Sequence, residues 1–311
     1  MRVHLDTDLG TDPDDVCALA MLLGWPDAEV VGITTSTDHG GQRAAYAQYC
    51  LDLLGRSDIP VVAGAAMSLA HGERADPVVD DRRYWPDPVA PTPAPDDAAT
   101  ALLVDSVERG AVIVAVGPYT NLAVLERERP GTLATARVVV MGGWVRPPAA
   151  GLPGWRPERD FNVQWDTTAA RVVVDATADL TLSTLPVSLQ APLRRRDVGR
   201  LRRRGPMGAL LARQSEAHSA DSGKAALVPA HPCLPDDLLN FHYDPLACAV
   251  ALGWPGVTVE EMRLRVVMDG RVLHWREDAG GRRVRVATDV DGEAFAETWL
   301  AAVERACAGA L

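Results

Sequence analysis

Short apolar runs alternate with longer amphipathic stretches along the first 190 residues. Runs of three to six mostly apolar residues predict strands, whereas apolar residues that recur every three or four positions predict helices. The predicted strands are Val3–Leu5, Val30–Thr34, Ile59–Val62, Val112–Val116, Val138–Met141 and Leu180–Ser183. The predicted helices between them are Asp14–Leu23, Gln42–Leu54, Asp97–Glu108, Asn121–Glu128 and Thr167–Asp175. This alternation favours right-handed crossovers, and therefore an open, mostly parallel, Rossmann-like α/β sheet flanked by helices.

The rest of the chain departs from this alternation. Residues 76–96 are rich in proline and residues 146–160 in proline and glycine. Both segments predict long loops, which in α/β proteins often border the active site. Residues 192–240 indicate arginine-rich helices. Arg263–Thr288 predicts two or three further strands, closed by a helix over Gly292–Cys307.

Neither a repeat nor a clean linker divides the sequence. We therefore expect residues 1–311 to form one domain with long active-site loops.

Composition removes several classes of function. The formal net charge of −11 argues against a nucleic-acid partner, because phosphate binding relies on an excess of basic residues. Only one of the 31 basic residues is a lysine, Lys224. The five cysteines are odd in number and lack CxxC spacing, which disfavours a disulfide framework or a zinc site. Since no apolar stretch approaches the roughly 18 residues of a membrane span and no leader precedes the first strand, we expect a cytoplasmic protein without membrane contact.

Five aspartates crowd the end of the first strand. They lie within ten residues, in the run DTDLGTDPDD, and are Asp6, Asp8, Asp12, Asp14 and Asp15. Acidic residues are common at helix N-termini, which explains two of the five. The mutual repulsion of all five is better relieved by a hard cation with oxygen ligands, for which Ca²⁺ and Mg²⁺ are the candidates.

Three later segments add polar groups beside predicted helices. Asp244, in HYDPLA, is either a cation ligand or a helix N-cap before proline. Val116 ends a strand before GPYTN, where its carbonyl either ligates a cation or belongs to a simple turn. Asp160 and Asn162 leave the second long loop together.

Taken in order, these segments resemble the inosine–uridine-type nucleoside hydrolases. The resemblance rests on the acidic run, GITT at 32–35, AVGPYTN at 115–121, VVMGG at 139–143, DFNVQWD at 160–166, YDPLA at 243–247 and VRVATDVDGEAF at 284–295. It covers essentially the whole chain. It implies hydrolysis of the N-glycosidic bond of a ribonucleoside with a purine, pyrimidine or modified base, using one bound Ca²⁺, in a homodimer or homotetramer.

The resemblance also implies a role for each site residue. The metal ligands would be Asp8, Asp15, the Val116 carbonyl and Asp244, with Asp8 also activating the attacking water. The residues that bind the ribose hydroxyls would be Asp14, Asp160 and Asn162. His39, in the stretch after GITT where the family often has asparagine, is a further candidate for substrate binding. Trp155, in the second long loop, either stacks on the base or only packs the loop.

Two positions depart from the pattern. The acidic motif is two residues longer than usual, which leaves open whether Asp12 or Asp14 contacts ribose. Tyr243 occupies the place of the usual leaving-group histidine, and His242 stands one residue earlier. Tyr243 and His242 are therefore the candidates for assisting departure of the base.

Two other functions compete with this interpretation. Asp6-Thr7-Asp8 also resembles the nucleophile motif of haloacid dehalogenase-type phosphohydrolases. That chemistry usually has a lysine beside the aspartyl nucleophile, whereas Lys224 lies in a Ser-Gly-Lys loop with no apolar strand next to it. The altered leaving-group position would also suit a catalytically silent nucleoside- or sugar-binding protein of the same fold.

Overall fold

A nine-stranded sheet crosses the centre of the structure, a computed structural model that describes residues 1–78 and 82–309. In chain order the strands are β1 (Arg2–Thr7), β2 (Glu29–Thr35), β3 (Val61–Ala63), β4 (Val112–Ala115), β5 (Arg137–Met141), β6 (Asp179–Ser183), β7 (Pro192–Arg194), β8 (Leu238–Phe241), β9 (Val257–Asp269), β10 (Val272–Glu277) and β11 (Arg282–Val290). In space the order is β10-β9-β11-β6-β5-β4-β1-β2-β3, while β7 and β8 form a separate antiparallel pair.

Seven neighbouring strands of the large sheet, from β11 to β3, run parallel. The long β9 is antiparallel to β10 and β11 and closes one edge. The mostly parallel α/β class expected from the sequence is confirmed.

Helices cover both faces of this sheet. They are α1 (Asp14–Leu23), α2 (Gln42–Leu53), α3 (Ala98–Glu108), α4 (Thr120–Glu128), α5 (Thr132–Thr135), α6 (Phe161–Trp165), α7 (Thr167–Ala176), α8 (Leu185–Ser188), α9 (Arg195–Leu201), α10 (Gly205–Ser222), α11 (Tyr243–Ala251) and α12 (Gly292–Ala308). Short 3₁₀ helices span Pro157–Arg159 and Lys224–Ala230. The predicted long helices agree with these bounds to within two residues.

The sequence pattern was less accurate where elements are short. The third strand begins at Val61 rather than Ile59, and α6 was not predicted. The segment 192–240 contains β7 and β8 besides its helices. The loop at 76–96 includes residues 79–81, which lie outside the described residues.

Helix α1 lies in the core, and this fixes the acidic residues at its start. Eight of its ten residues, Asp15 to Leu22, are less than 5% exposed, because the helix packs between α11 and α12. The Trp299 indole N–H donates to the Cys17 carbonyl at 3.2 Å. A side chain at Gly24 would collide with the Ala302 carbonyl, so the close approach of α1 to α12 requires glycine there.

The strand order reverses between β1 and β4. From β1 the chain proceeds to β2 and β3 on one side, and from β4 to β5 and β6 on the other. In open α/β sheets the loops diverge at such a point and leave a crevice at the carboxyl ends of the strands. The acidic run follows β1 and Val116 follows β4, so both face that crevice.

The arginine-rich segment is held by ion pairs at the surface. Arg194 contacts Asp237 at 2.7 Å and Glu293 at 2.9 Å, and Arg200 contacts Glu297 at 2.7 Å. The Arg200 pair joins α9 to α12, and the Arg194 pairs join the end of β7 to Asp237 and to α12, so these arginines belong to a charged surface. Among the described residues, no helix has the length and apolar character needed to cross a bilayer.

Candidate active site

A cavity of about 330 Å³ lies at the carboxyl edge of β1, β4 and β5 and at the start of α11. Its volume is at the lower end of the range of small-molecule sites. Nine of the eleven residues predicted from the sequence line it: Asp8, Asp14, Asp15, Val116, Trp155, Asp160, Asn162, Tyr243 and Asp244.

Three buried carboxylates meet on the floor of this cavity. Asp14 and Asp15 begin α1, Asp244 is in the first turn of α11, and each offers an oxygen within 4.8 Å of the other two. Asp15 also accepts a hydrogen bond from the Thr7 hydroxyl. The packing of α1 against α11 therefore joins two distant parts of the sequence in one acidic cluster.

Ionisation of this cluster is unfavourable without a counter-charge. Burial, followed by the charges of neighbouring aspartates, raises the pKa of Asp14, Asp15 and Asp244 well above the ordinary value. A divalent cation with oxygen ligands would offset both effects. The donor set fits such a cation, since the Val116 carbonyl adds an oxygen in the same cavity.

Asp8 lies beside this cluster. Burial raises the pKa of Asp8 to about 6, although the Arg43 guanidinium opposes the shift. Arg43 donates to the carbonyls of Asp8, Leu9 and Thr37, so it fixes the loop after β1 through the backbone and leaves the Asp8 carboxylate towards the cavity.

The other two aspartates of the run have different environments. Asp6 lies within the sheet, where one oxygen accepts from Thr34 and Asn121, each at 2.6 Å, and burial raises its pKa to about 7. Asp12 borders the cavity but pairs with Lys224 and His218. The five aspartates therefore do not converge on one ion, and Asp14 rather than Asp12 belongs to the three-carboxylate cluster.

Asp160 and Asn162 form the opposite wall. Asp160 caps α6, accepting from the Val163 amide at 3.3 Å and from the Gly143 amide at 2.6 Å. Gly143 has φ +104°, a conformation available mainly to glycine, which turns its amide after β5. Burial raises the pKa of Asp160 to about 6. The Asn162 amide donates to the Val116 carbonyl at 2.6 Å, linking this wall to the end of β4.

An aromatic wall borders the mouth. The rings of Trp155 and Tyr243 lie at an interplanar angle of 20° with centroids 6.4 Å apart, and the Arg159 guanidinium lies 5.8 Å from the Trp155 ring. Burial, followed by the nearby aspartates, raises the pKa of Tyr243 well above its ordinary value, so this phenol stays protonated at neutral pH.

The structure places both predicted histidines away from the cavity. The His242 ring packs in the core against Trp299, with centroids 4.4 Å apart, and burial lowers its pKa to about 3. Tyr243, the next residue and the first of α11, lines the cavity instead. His39 is solvent-exposed in the loop after β2. Of the described residues that line the cavity, none is a histidine.

Sequence reasoning missed three basic residues of the cavity wall. Arg43, Arg159 and Lys224 line it together with the acids. Arg43 and Arg159 could not be singled out from the sequence, because 30 of its 31 basic residues are arginines and the remaining one is Lys224. The single lysine was a usable signal, but its position in a loop gave no sign of its neighbours.

Comparison with known families gives a match along nearly the whole chain. A family model described as inosine-uridine preferring nucleoside hydrolase matches residues 3–297. A pyrimidine-specific ribonucleoside hydrolase, RihA, of Klebsiella pneumoniae subsp. pneumoniae is 29% identical over 313 residues and covers 96% of each chain. RihA of Salmonella arizonae is 32% identical over 222 residues, which are 68% of this chain and 69% of the relative.

Solved structures share the fold. A purine-preferring ribonucleoside hydrolase from Gardnerella vaginalis superimposes with a TM-score of 0.80 at 24% identity, covering 99% of both chains. A plant nucleoside hydrolase, PpNRh1, superimposes with a TM-score of 0.80 at 23% identity, covering 97% of this chain and 98% of the other.

Proposed function

This chain belongs to the inosine-uridine preferring nucleoside hydrolase family, and we propose that its cavity hydrolyses the N-glycosidic bond of a ribonucleoside with a bound Ca²⁺, releasing ribose and the free base. One observation carries the assignment of the site: Asp14, Asp15 and Asp244 place oxygens within 4.8 Å of one another in the cavity. The cytoplasmic location and the homodimer or homotetramer expected from the sequence stay predictions.

The cation would be held by Asp8, Asp15 and Asp244 with the Val116 carbonyl. Carboxylate and carbonyl oxygens are the donors that Ca²⁺ takes in proteins, and the unfavourable burial of these acids supports the assignment. When bound, Ca²⁺ would supply positive charge that orients ribose hydroxyls and makes a bound water more acidic. A carbonyl oxygen has two lone pairs, so Val116 can accept from Asn162 and still ligate the ion.

The ribose would lie between the carboxylate floor and the opposite wall. Asp14 shares the three-carboxylate cluster with Asp15 and Asp244, and in this proposal it would accept from a ribose hydroxyl instead of ligating the ion. Asp160 and Asn162 would bind the sugar from the other side. Loss of the base leaves positive charge on the ring, and carboxylates on both sides stabilise that charge as it develops.

Asp8 would be the general base. Its carboxylate takes a proton from water while the water oxygen bonds to C1′ and the C1′–N bond breaks. The electron pair of that bond stays on the base nitrogen, which takes a proton from solvent, and Asp8 later returns its own proton to solvent. The position of Asp8 in the cavity lining beside the acidic cluster supports this role, because a general base must reach both the water and the sugar.

The base would lie against Trp155 and Tyr243 at the mouth. The near-parallel aromatic rings offer a stacking surface for a planar base, worth about 1–3 kcal/mol per base. With no histidine among the described residues of the cavity, a base that needs little protonation is the better substrate.

Ribose release from a panel of purine, pyrimidine and modified nucleosides tests this proposal. We expect release that stops in a calcium chelator and returns with excess Ca²⁺. Binding of a nucleoside without any release would indicate the catalytically silent alternative, whereas release of inorganic phosphate from phosphate esters would indicate the phosphohydrolase. Either result would overturn the proposed reaction.

A further inference from the structure

Lys224, the only lysine of the chain, lies in the wall of the cavity with a side chain that is 12% exposed. Its ammonium donates to the Asn240 side-chain oxygen and to Asp12 Oδ2 at 3.3 Å, and lies 2.9 Å from His218 Nε2. An ammonium has three N–H donors, and Asn240 and Asp12 accept from two of them. These two hydrogen bonds orient the Lys224 ammonium towards Asp12.

Asp12 is held from the same side. Its Oδ1 accepts from the Asn240 amide at 2.6 Å, and its Oδ2 lies 3.1 Å from His218 Nε2 and 3.3 Å from Lys224 Nζ. Lys224, His218 and Asn240 come from the segment between α10 and the end of β8, whereas Asp12 precedes α1. The cluster therefore ties this segment to the acidic run.

Without this pairing, Asp12 would alter the electrostatics of the site. It lies two residues before Asp14, lines the cavity with Asp8, Asp15 and Asp244, and would add a fifth carboxylate to that group. A free carboxylate beside a hard cation competes as a ligand. In a partly buried site, an added negative charge also repels the other acids strongly.

We propose that Lys224 is a positioning residue that pairs with Asp12, keeps that carboxylate out of the cation site and leaves Asp14 to face the substrate. This inference rests on the proposed function in placing a cation and a ribose in the cavity. The Lys224 ammonium also lies 5.4 Å from the Tyr243 ring centroid, so its position influences the aromatic wall as well.

A double-mutant cycle between Lys224 and Asp12 tests the proposal. Lys224→Met keeps the length of the side chain and removes its charge, and we expect kcat/KM for the best nucleoside to fall about 100-fold, as for loss of one partner of a desolvated charge pair. Adding Asp12→Asn removes the carboxylate that was released. We expect the double variant to recover at least about tenfold, and Lys224→Arg to retain more activity than Lys224→Met.

Calcium binding, measured by calorimetry, gives a second readout that needs no turnover. Loss of the Lys224 charge should strengthen binding of Ca²⁺ about tenfold, because Asp12 becomes available to the cation, and the double variant should return to within about threefold of the wild type. If the wild type released no ribose, the calcium-binding measurement would still test the pairing of Lys224 with Asp12. Failure of the proposed function can therefore be distinguished from failure of this inference.

Three outcomes would overturn the inference. A double variant no more active than Lys224→Met would mean that Lys224 acts on the substrate or on the fold rather than through Asp12. Weaker calcium binding in Lys224→Met would mean collapse of the site. If Lys224→Met is too unstable to assay, its unfolding temperature is compared with that of the double variant, and equal instability counts against the pairing. Arg202→Met, which breaks the exposed pair of Arg202 with Glu216 of α10, is the control for loss of a surface ion pair.

Discussion

Replacement of Asp160 by Asn separates the electrostatic role of this residue from its role as a helix cap. The carboxylate is buried and its pKa is about 6, compared with 3.8 in a model peptide. At about 1.36 kcal/mol per pKa unit, holding this carboxylate ionised in the folded protein costs about 3 kcal/mol. In the proposed site, contact of the ionised carboxylate with the ribose would offset this cost.

The sign of the pH dependence follows from this shift. The pKa of Asp160 is higher in the folded protein than in the unfolded chain. The contribution of Asp160 to the free energy of unfolding is therefore fully present below about pH 4 and is lost as the pH rises through about 6. Catalysis has the opposite requirement, because only the ionised carboxylate stabilises positive charge on the sugar. We expect kcat/KM to fall below about pH 6 in the wild type.

Asp160→Asn keeps an acceptor for one backbone amide but removes the negative charge. We expect kcat/KM at pH 7.5 to fall about 10²–10³-fold, the usual effect of deleting one transition-state electrostatic contact. Asp8, the proposed general base, also has a pKa raised by burial to about 6, so it should keep an acid limb in the variant, and that limb should become less steep rather than disappear. p-Nitrophenyl riboside is the suitable substrate, since its leaving group needs no proton.

Asp166→Asn is the matched control. Asp166 is the next helix cap along the chain, fully buried, and accepts from the Ala169 amide at 2.9 Å and the Leu69 amide at 2.7 Å, but it does not line the cavity. It should lower the unfolding temperature without changing the steepness of the acid limb. An Asp160→Asn enzyme with a limb as steep as that of the wild type, or an Asp166→Asn enzyme with a less steep one, would refute the electrostatic role of Asp160.

The remaining predictions concern the cation, the general base and the leaving group. Asp15→Ala and Asp244→Ala should each abolish tight Ca²⁺ binding in calorimetry, because an under-coordinated hard ion is left behind, and wild-type affinity in either would remove the ligand assignment. Asp8→Asn should lower kcat by several orders of magnitude with circular dichroism unchanged, and retention of more than about a tenth of the activity would exclude Asp8 as the base. Tyr243→His should raise inosine hydrolysis by supplying an acid of suitable pKa, whereas Tyr243→Phe should barely change the rate on p-nitrophenyl riboside. A large loss on that substrate would mean that Tyr243 positions the sugar or the metal instead.

Local sequence was sufficient for most of the fold. The apolar run at 112–116 predicted a strand, and all four residues of β4 are buried. The same logic located the long helices, because periodicity reports which face of an element is buried. It was less accurate for α6 and β3, since elements of five and three residues have too few positions to show a period.

Local sequence also placed the acidic run at the carboxyl end of β1, where a parallel sheet leaves a crevice. The chemistry of the run was readable because a strand end and a helix start adjoin there in the chain. The identity of the aspartates that share the cluster was not readable, as Asp6 turns into the sheet and Asp12 pairs with Lys224.

Only the tertiary structure decided which distant groups meet. Asn240 binds Asp12 across 228 positions of sequence, and Asp244 joins Asp14 only because α11 packs on α1. It also decided that Tyr243 faces the cavity while its neighbour His242 enters the core. Side-chain direction at a helix start depends on the packing of that helix, which periodicity within one element does not encode.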